Sequence, residues 1–158
     1  MTSPEPYELA YLADLKRLFE QIRTANGYHT DAGKFVFTAD ERLDPVGKDI
    51  QLILTDGDEQ LVRQDGYLRD VKLRVEVEIF VPLSSDADGR RTARELARRA
   101  LVDVRQAVLQ GLKGNSFKSE PVDVTLEGRT LFPIESGSSW QLAVQPVLIM
   151  AREEFQSV

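Results

Sequence analysis

A histidine and an aspartate two residues apart are the first side chains whose types and spacing suggest chemistry. His29, the sole histidine of the chain, and Asp31 both lie in the turn-rich run Gly27–Gly33. A carboxylate can orient an imidazole so that it acts as a general base. No serine or cysteine motif accompanies the pair, so we interpret His29 as a surface or turn histidine.

An acidic cluster follows further along the chain, where Asp56, Asp58 and Glu59 fall within four residues. Hard cations prefer oxygen ligands of this kind, and a calcium loop needs ligands at positions 1, 3 and 5, glycine at 6 and glutamate at 12. Counted from Asp56, position 6 is Leu61 and position 12 is Tyr67. The pattern therefore predicts a solvated hairpin tip, and we expect no metal site.

Arginines form a stripe on one face of a predicted helix. The members of this arginine stripe are Arg91, Arg94, Arg98 and Arg105, at spacings of three, four and seven residues. Residues 86–105 contain six arginines and four acids, so this segment carries +2 and the rest of the chain −8, for a net charge of −6. Arginine favours paired contacts with carboxylates or phosphates. The stripe is therefore either a solvated face with internal pairs such as Arg91–Glu95, or an interface for acidic neighbours or nucleic acid.

The composition excludes several other kinds of site. There is no cysteine, which removes disulfides, thiolate metal ligands and cysteine nucleophiles. A single histidine rules out a multi-histidine metal centre, and no segment matches the phosphate-binding pattern GxxxxGK[ST]. The acidic net charge argues against general nucleic-acid binding. We therefore expect a non-catalytic protein with no cofactor.

The sequence also lacks membrane and export signals. No apolar run approaches the 18 residues of a membrane span. The N-terminus does not show the basic and then apolar order of a signal peptide. We therefore expect a soluble, cytosolic chain.

Two helices are predicted from apolar residues that recur every three or four positions. The first covers residues 4–23, with Thr2 and Glu5 as a capping box and Asn26-Gly27 beyond its end. The second covers residues 90–109 and carries the arginine stripe.

Strands are predicted around these helices from alternating or continuous apolar runs. The clearest is residues 67–82, in which Val71, Leu73, Val75 and Val77 alternate with charged residues, so that one face meets the core. At that length it must bend, break or extend beyond the body as a hairpin arm. The segment Asp56–Gly66 is interpreted as the hairpin connection, whose middle part, 60–63, can extend either strand. The other predicted strands cover residues 34–37, 49–55, 122–126, 129–133 and 140–150.

The order α-β-β-β-α-β-β-β indicates an α+β fold. We expect a single, mostly antiparallel sheet with two helices packed on one face and a long protruding β-hairpin. A length of 158 residues suits one domain, residues 1–158.

One stretch of the chain resembles a known protein family. The residues that carry the resemblance are an opening helix and then G-Y-x-T-D-A-G-x-x-V, written here as Gly27-Tyr28-His29-Thr30-Asp31-Ala32-Gly33-Lys34-Phe35-Val36. This pattern resembles the tail terminators, or minor tail protein U group, of tailed bacteriophages and prophages. The similarity covers about forty N-terminal residues and continues beyond them in the order of the elements.

The resemblance implies a structural role in the virion. A tail terminator caps the tail tube as a ring, commonly of six subunits, stops its polymerisation and joins it to the neck. Its partners would be copies of itself, the tail-tube protein and a neck or connector protein, with DNA passing through the ring. The motif has no catalytic content, so it assigns no site residue.

Contacts between subunits or with the tube are expected at the hairpin Asp56–Gly66 and the loop Thr38–Lys48. Two alternatives stay open at this point. One is a head–tail connector or neck protein of similar fold. The other is a small cytosolic α+β enzyme, which would need a deep pocket around His29 and Asp31.

Overall fold

A computed structural model describes residues 5–155 and contains two α-helices. Helix α1 spans Tyr7–Phe19 and helix α2 spans Gly89–Lys113. The first predicted helix was too long at its C-terminal end. Helix α1 ends in a tight turn, in which the Ile22 N–H donates to the Phe19 carbonyl oxygen. The predicted start was too early as well, since Glu5 and Pro6 precede the helix and Pro6 makes no side-chain cap. Pro4 and Thr2 of the proposed capping box lie outside the described residues. Neither helix is long and apolar enough to cross a membrane.

Six strands form one sheet, with the order β1-β2-β3-β6-β4 and with β5 also paired to β6. Only β1 and β2 run parallel, and every other pair is antiparallel. The predicted α+β class with a single, mostly antiparallel sheet is therefore confirmed. The strands are β1 Val36–Thr38, β2 Gln51–Asp65, β3 Leu68–Pro82, β4 Asp123–Leu126, β5 Thr130–Leu131 and β6 Trp140–Glu154.

The core lies between one face of the sheet and both helices, as predicted. Alternate residues of β3, from Val71 to Val81, are almost fully buried on this face. Leu15 and Phe19 of α1 and Leu101 of α2 join them in one hydrophobic cluster. Burying each such side chain contributes about 1.5–3 kcal/mol, so the shared face holds the helices to the sheet.

The long hairpin is confirmed, but its connection is shorter than predicted. Strand β2 continues through the acidic segment to Asp65, and only Gly66 and Tyr67 separate it from β3. Its pairing with β3 is interrupted by two register shifts, at 56–59 and 61–63, which accommodate extra residues. Ladder hydrogen bonds to β3, rather than burial, hold this polar segment extended. We call residues 56–65 of β2 the arm; all ten are exposed.

The last strand also runs further than predicted. It was predicted to end at residue 150, but residues 151–154 also belong to β6. Strand β6 pairs with β3 along its whole length, from Leu68 opposite Glu154 to Pro82 opposite Trp140. Because β3 lies between the arm and β6, the arm is one edge of the sheet, which narrows to three strands beside residues 61–65.

A buried carboxylate fastens the segment after α2 to α1. Asp14 is 2 % exposed and accepts hydrogen bonds from the backbone N–H groups of Ser119, at 3.0 Å, and Lys118, at 3.2 Å. The Ser119 hydroxyl and the Arg17 guanidinium also donate to it. Burial by itself raises the pKa of Asp14, but these donors outweigh it and hold the pKa below its usual value.

This arrangement predicts acid sensitivity. The pKa of Asp14 is lower in the folded state than its unfolded value of about 3.9. The stability that its carboxylate contributes is therefore fully present above about pH 3.9 and is lost as the pH falls through the folded pKa. We expect the free energy of unfolding to drop on acidification more steeply for the wild type than for Asp14→Asn, whose site does not titrate. Urea unfolding at a series of pH values measures both slopes. Parallel slopes would contradict this assignment.

Candidate functional site

The structure separates the histidine and the aspartate that suggested a general base. The Asp31 carboxylate accepts hydrogen bonds from the Thr24 N–H at 2.8 Å and the Thr24 hydroxyl at 3.0 Å, and Lys34 lies 3.8 Å away. The Thr24 N–H is the main cause of the lowered pKa of Asp31. No hydrogen bond joins the His29 and Asp31 side chains among residues 5–155. Asp31 is therefore engaged by Thr24 and does not orient the imidazole.

His29 and Asp31 do line one depression, with a volume of about 400 Å³. Its walls come from the 24–35 segment, the start of β2 and Leu96 of α2. Most of the lining residues, including His29 and Lys48, are exposed. The depression is therefore a surface feature rather than the deep pocket that the enzyme alternative requires.

A buried aspartate that the sequence analysis passed over organises this segment. Asp103 of α2 is 1 % exposed and accepts hydrogen bonds from the N–H groups of His29, at 3.0 Å, and Thr30, at 2.8 Å. The Thr30 hydroxyl donates to the same carboxylate at 2.7 Å. Asp103 lies three residues after Ala100 and four before Ala107, on the apolar face of the helix. An acid on an apolar face was the signal that could have revealed it.

The acidic cluster lies on the arm, where its members have different surroundings. Glu59 accepts a hydrogen bond from the Tyr7 hydroxyl of α1, and Arg69 lies 3.8 Å away. Asp56 and Asp58 are exposed and take part in none of the ion pairs found among residues 5–155. Within the same described residues, no three acidic or histidine side chains are arranged to hold a metal ion. The cluster is therefore at the base of the arm rather than at its tip, which corrects the prediction of a hairpin tip.

The base of the arm is fastened to the body by a crowded group of charges. Burial raises the pKa of Tyr7, and the hydrogen bond to Glu59 raises it further. Burial also raises the pKa of Glu153, with Glu59 repelling its charged form. Arg69 contacts Glu153 at 3.6 Å as well as Glu59. Helix α1 thus holds the arm at Glu59. Strands β3 and β6 run beside the arm to its end, where Asp65 pairs with Leu68 and Leu68 with Glu154.

The arginine stripe is divided between internal and free side chains. Arg94 donates to the Gln141 side-chain oxygen and to the Phe132 carbonyl oxygen, both at 3.1 Å. Arg105 donates to the side-chain oxygen of Gln145 at 2.6 Å. Arg91 pairs with Asp88 at 3.2 Å, not with Glu95 as predicted. Arg98 is exposed and, within residues 5–155, forms no ion pair or side-chain hydrogen bond.

Two buried glutamines of β6 accept the hydrogen bonds from Arg94 and Arg105. Gln141 and Gln145 are fully buried on the helix side of the sheet. Their amide groups donate to the carbonyl oxygens of Phe132, just beyond β5, at 2.7 Å, and Glu127, in the β4–β5 connection, at 2.8 Å. Arg94 and Arg105 complete this network. Hydrophobic periodicity did not predict this network, because glutamine is polar and the local sequence of β6 gives no sign that these two side chains are buried.

The loop Thr38–Lys48 lies beside the start of β2. Lys16 of α1 pairs with Glu41 at 3.0 Å, and the Gln51 amide bonds to the Val46 backbone. Leu43 and Val46 are nevertheless 75 % and 62 % exposed. The loop therefore presents apolar side chains from an anchored backbone.

The sheet face opposite the helices carries a row of apolar side chains. Trp140 packs edge-on against Phe80, with ring centroids 6.3 Å apart. Alternate residues of β6 continue the row, and each keeps intermediate exposure. Members of this row are Phe80, Trp140, Leu142, Val144, Leu148 and Met150.

No model of a known protein family matches this chain, and no curated protein is significantly similar to it. The described geometry therefore defines an α+β domain whose notable surfaces are the arm, the loop and the free part of the arginine stripe.

Proposed function

We propose that this chain is a structural protein of a phage or prophage tail, namely a tail terminator that caps the tube as a ring and joins it to the neck. The observation that carries the proposal is the arm, in which ten consecutive strand residues are exposed. A lone protein gains little from such a strand, since an exposed edge favours unwanted pairing. An arm of this kind suits a protein that works in contact with other subunits.

The residues behind the family resemblance support a structural role. In the segment 27–33, the N–H groups of His29 and Thr30 bind Asp103, and the Gly33 N–H donates to the Ile22 carbonyl oxygen at 2.8 Å. The segment thereby joins α1 to α2. Holding the two helices together is enough to explain the residue pattern of this segment, and the explanation needs no catalytic role.

The proposed contact surfaces are the arm and the loop Thr38–Lys48. Leu61 and Val62 of the arm and Tyr67 in the turn beside it, like Leu43 and Val46 in the loop, are large apolar side chains left exposed. Their burial against neighbouring subunits or tube protein would supply the association energy. The proposed location is the virion tail, with assembly in the bacterial cytoplasm, and DNA would pass through the ring without sequence-specific contacts.

The decisive experiment removes the gene from the phage or prophage that carries it. A terminator predicts tubes of uncontrolled length without attached heads, because polymerisation is not stopped. A neck protein predicts tubes of normal length beside unattached heads. Electron microscopy of the lysates measures tube length, and normal virions in the mutant lysate would contradict both roles.

Apolar residues of the arm are expected to matter for capping. Replacing Leu61 and Val62 by serine should leave the unfolding curve unchanged, because both side chains are about half exposed. The variant should fail to restore tube length in the deletion mutant. The matched control is Leu109→Ser on α2, equally exposed, which should complement fully. Full complementation by the arm variant would argue against this contact surface.

A further inference from the structure

Both edges of the sheet are open over the residues that the structure describes. Strand β1 pairs with β2 only along Leu52–Leu54, so the outer edge of the arm has no neighbouring strand. At the opposite edge, β4 and β5 pair with β6 alone. Unpaired N–H and C=O groups at such edges readily accept a strand of another chain.

Two acids of the arm, the free Asp56 and the engaged Glu59, lie toward the helix side of the sheet. Asp56 pairs with Val75 and Glu59 with Leu73. Directly opposed residues of an antiparallel pair share a face, and these two partners belong to the core beneath the helices. An object that docks on the arm from the side therefore meets carboxylates on the helix side.

The arginine stripe lies on the same side of the sheet but at the other edge. Arg94 reaches the Phe132 carbonyl oxygen just beyond β5, and Arg105 reaches Gln145, which binds the β4–β5 connection. Arg98 stands between them on the helix and is exposed. Positive charge is therefore available where a strand would dock against β4 and β5.

The acids and the arginines lie at opposite edges of one sheet, so a single chain cannot bring them together. We propose that two copies associate head to tail, with the arm of one copy along the β4–β5 edge of the next and Asp56 facing Arg98. Such a contact joins two different surfaces, so repeating it from copy to copy closes a ring when the rotation between neighbours permits. Only the closure into a ring rests on the proposed function. The contact between two copies can be tested without a tail tube.

The dimensions of the two surfaces agree. From Arg91 to Arg105 the helix advances about 21 Å at 1.5 Å per residue. The arm, residues 56–65, extends about 30 Å at 3.3 Å per residue. The arm is therefore long enough to lie beside the whole stripe.

Charge reversal in the full chain tests the contact. We expect the wild type to form species larger than a dimer at low salt and to dissociate at high salt, measured by sedimentation velocity and native mass spectrometry. The arm variant Asp56→Arg and the helix variant Arg98→Glu should each weaken association about tenfold or more, because each places like charges together. The control Asp49→Arg changes the same charge at an exposed position elsewhere and should assemble normally.

Mixing the two reversed variants gives the sharpest result. Every contact in an alternating assembly of the two is complementary, so the mixture should assemble although neither variant does so alone. The mixed species should hold equal numbers of both chains and be larger than a dimer. A wild type that stays monomeric at low salt, reversed variants that assemble normally, or a mixture that stops at dimers would each overturn the inference.

Failure of this contact is distinguishable from failure of the proposed function. Charge-insensitive assemblies that still restore tube length in the deletion mutant would overturn the contact and leave the terminator role standing. Charge-dependent assemblies that never restore tube length would support the contact and overturn the terminator role.

Discussion

Replacing Gly33 by alanine is expected to destabilise the protein by about 3 kcal/mol. A Cβ atom at this position would lie 2.7 Å from the Ile22 carbonyl oxygen and 2.9 Å from that of Glu20, and closer still to that of Phe19. All three are backbone atoms at the end of α1, so no side chain can turn away to make room. The chain must instead shift, which weakens the hydrogen bond from the Gly33 N–H to Ile22.

Gly27 offers the matched control in the same motif. It has a φ of +89°, and an added Cβ would meet nothing within 4 Å. Gly27→Ala should therefore cost only the strain of a left-handed backbone, about 1 kcal/mol. Urea unfolding of both variants measures the difference. An equal loss at the two positions would show that the close crossing of the chain at Gly33 contributes nothing.

Replacing Asp103 by alanine is expected to cost about 4 kcal/mol, because three donors lose a buried, charged acceptor. Those donors are the N–H groups of His29 and Thr30 and the Thr30 hydroxyl. Asp103→Asn keeps one acceptor oxygen and should show a smaller loss. Urea unfolding measures the stability, and hydrogen exchange should show faster exchange at the His29 and Thr30 amides.

Asp31→Ala is the control for this prediction. Asp31 also accepts two hydrogen bonds from one threonine, but its side chain is exposed, so water can replace the lost acceptor. Its effect on stability should be clearly smaller than that of Asp103→Ala. If the two losses were equal, burial of the Asp103 carboxylate would not be what fastens the motif to α2.

The arm is the part of the candidate site that the sequence could not predict. Periodicity placed β3 correctly because its buried residues alternate strictly. The arm has no such pattern, since all of residues 56–65 are exposed, and its extended form comes from ladder hydrogen bonds to a strand that is itself fully paired. Local composition therefore predicted a connection where pairing across the hairpin produces a strand.

For the charged surfaces, the sequence predicted which residues lie near each other on one element but not which partners they bind. Spacing correctly put the four arginines on one helix, but could not say that Arg94 and Arg105 would be taken up by buried glutamines and that Arg98 would be left free. Similarly, the sequence marked three acids as one cluster, and only the packing of α1 engaged Glu59 through Tyr7. The spacing of charges states which residues are neighbours along an element, whereas their partners depend on elements distant in sequence.

The sequence by itself thus determined the class of fold, the two helices and the core face of β3, because periodicity along a segment reports which side of it avoids water. The tertiary structure decided the length of the arm, the end of α1 at the Gly33 crossing and the role of Asp103. Each of these depends on residues far apart in the chain, as with Thr30 and Asp103, and a hydrogen bond between them leaves no periodic trace in the sequence.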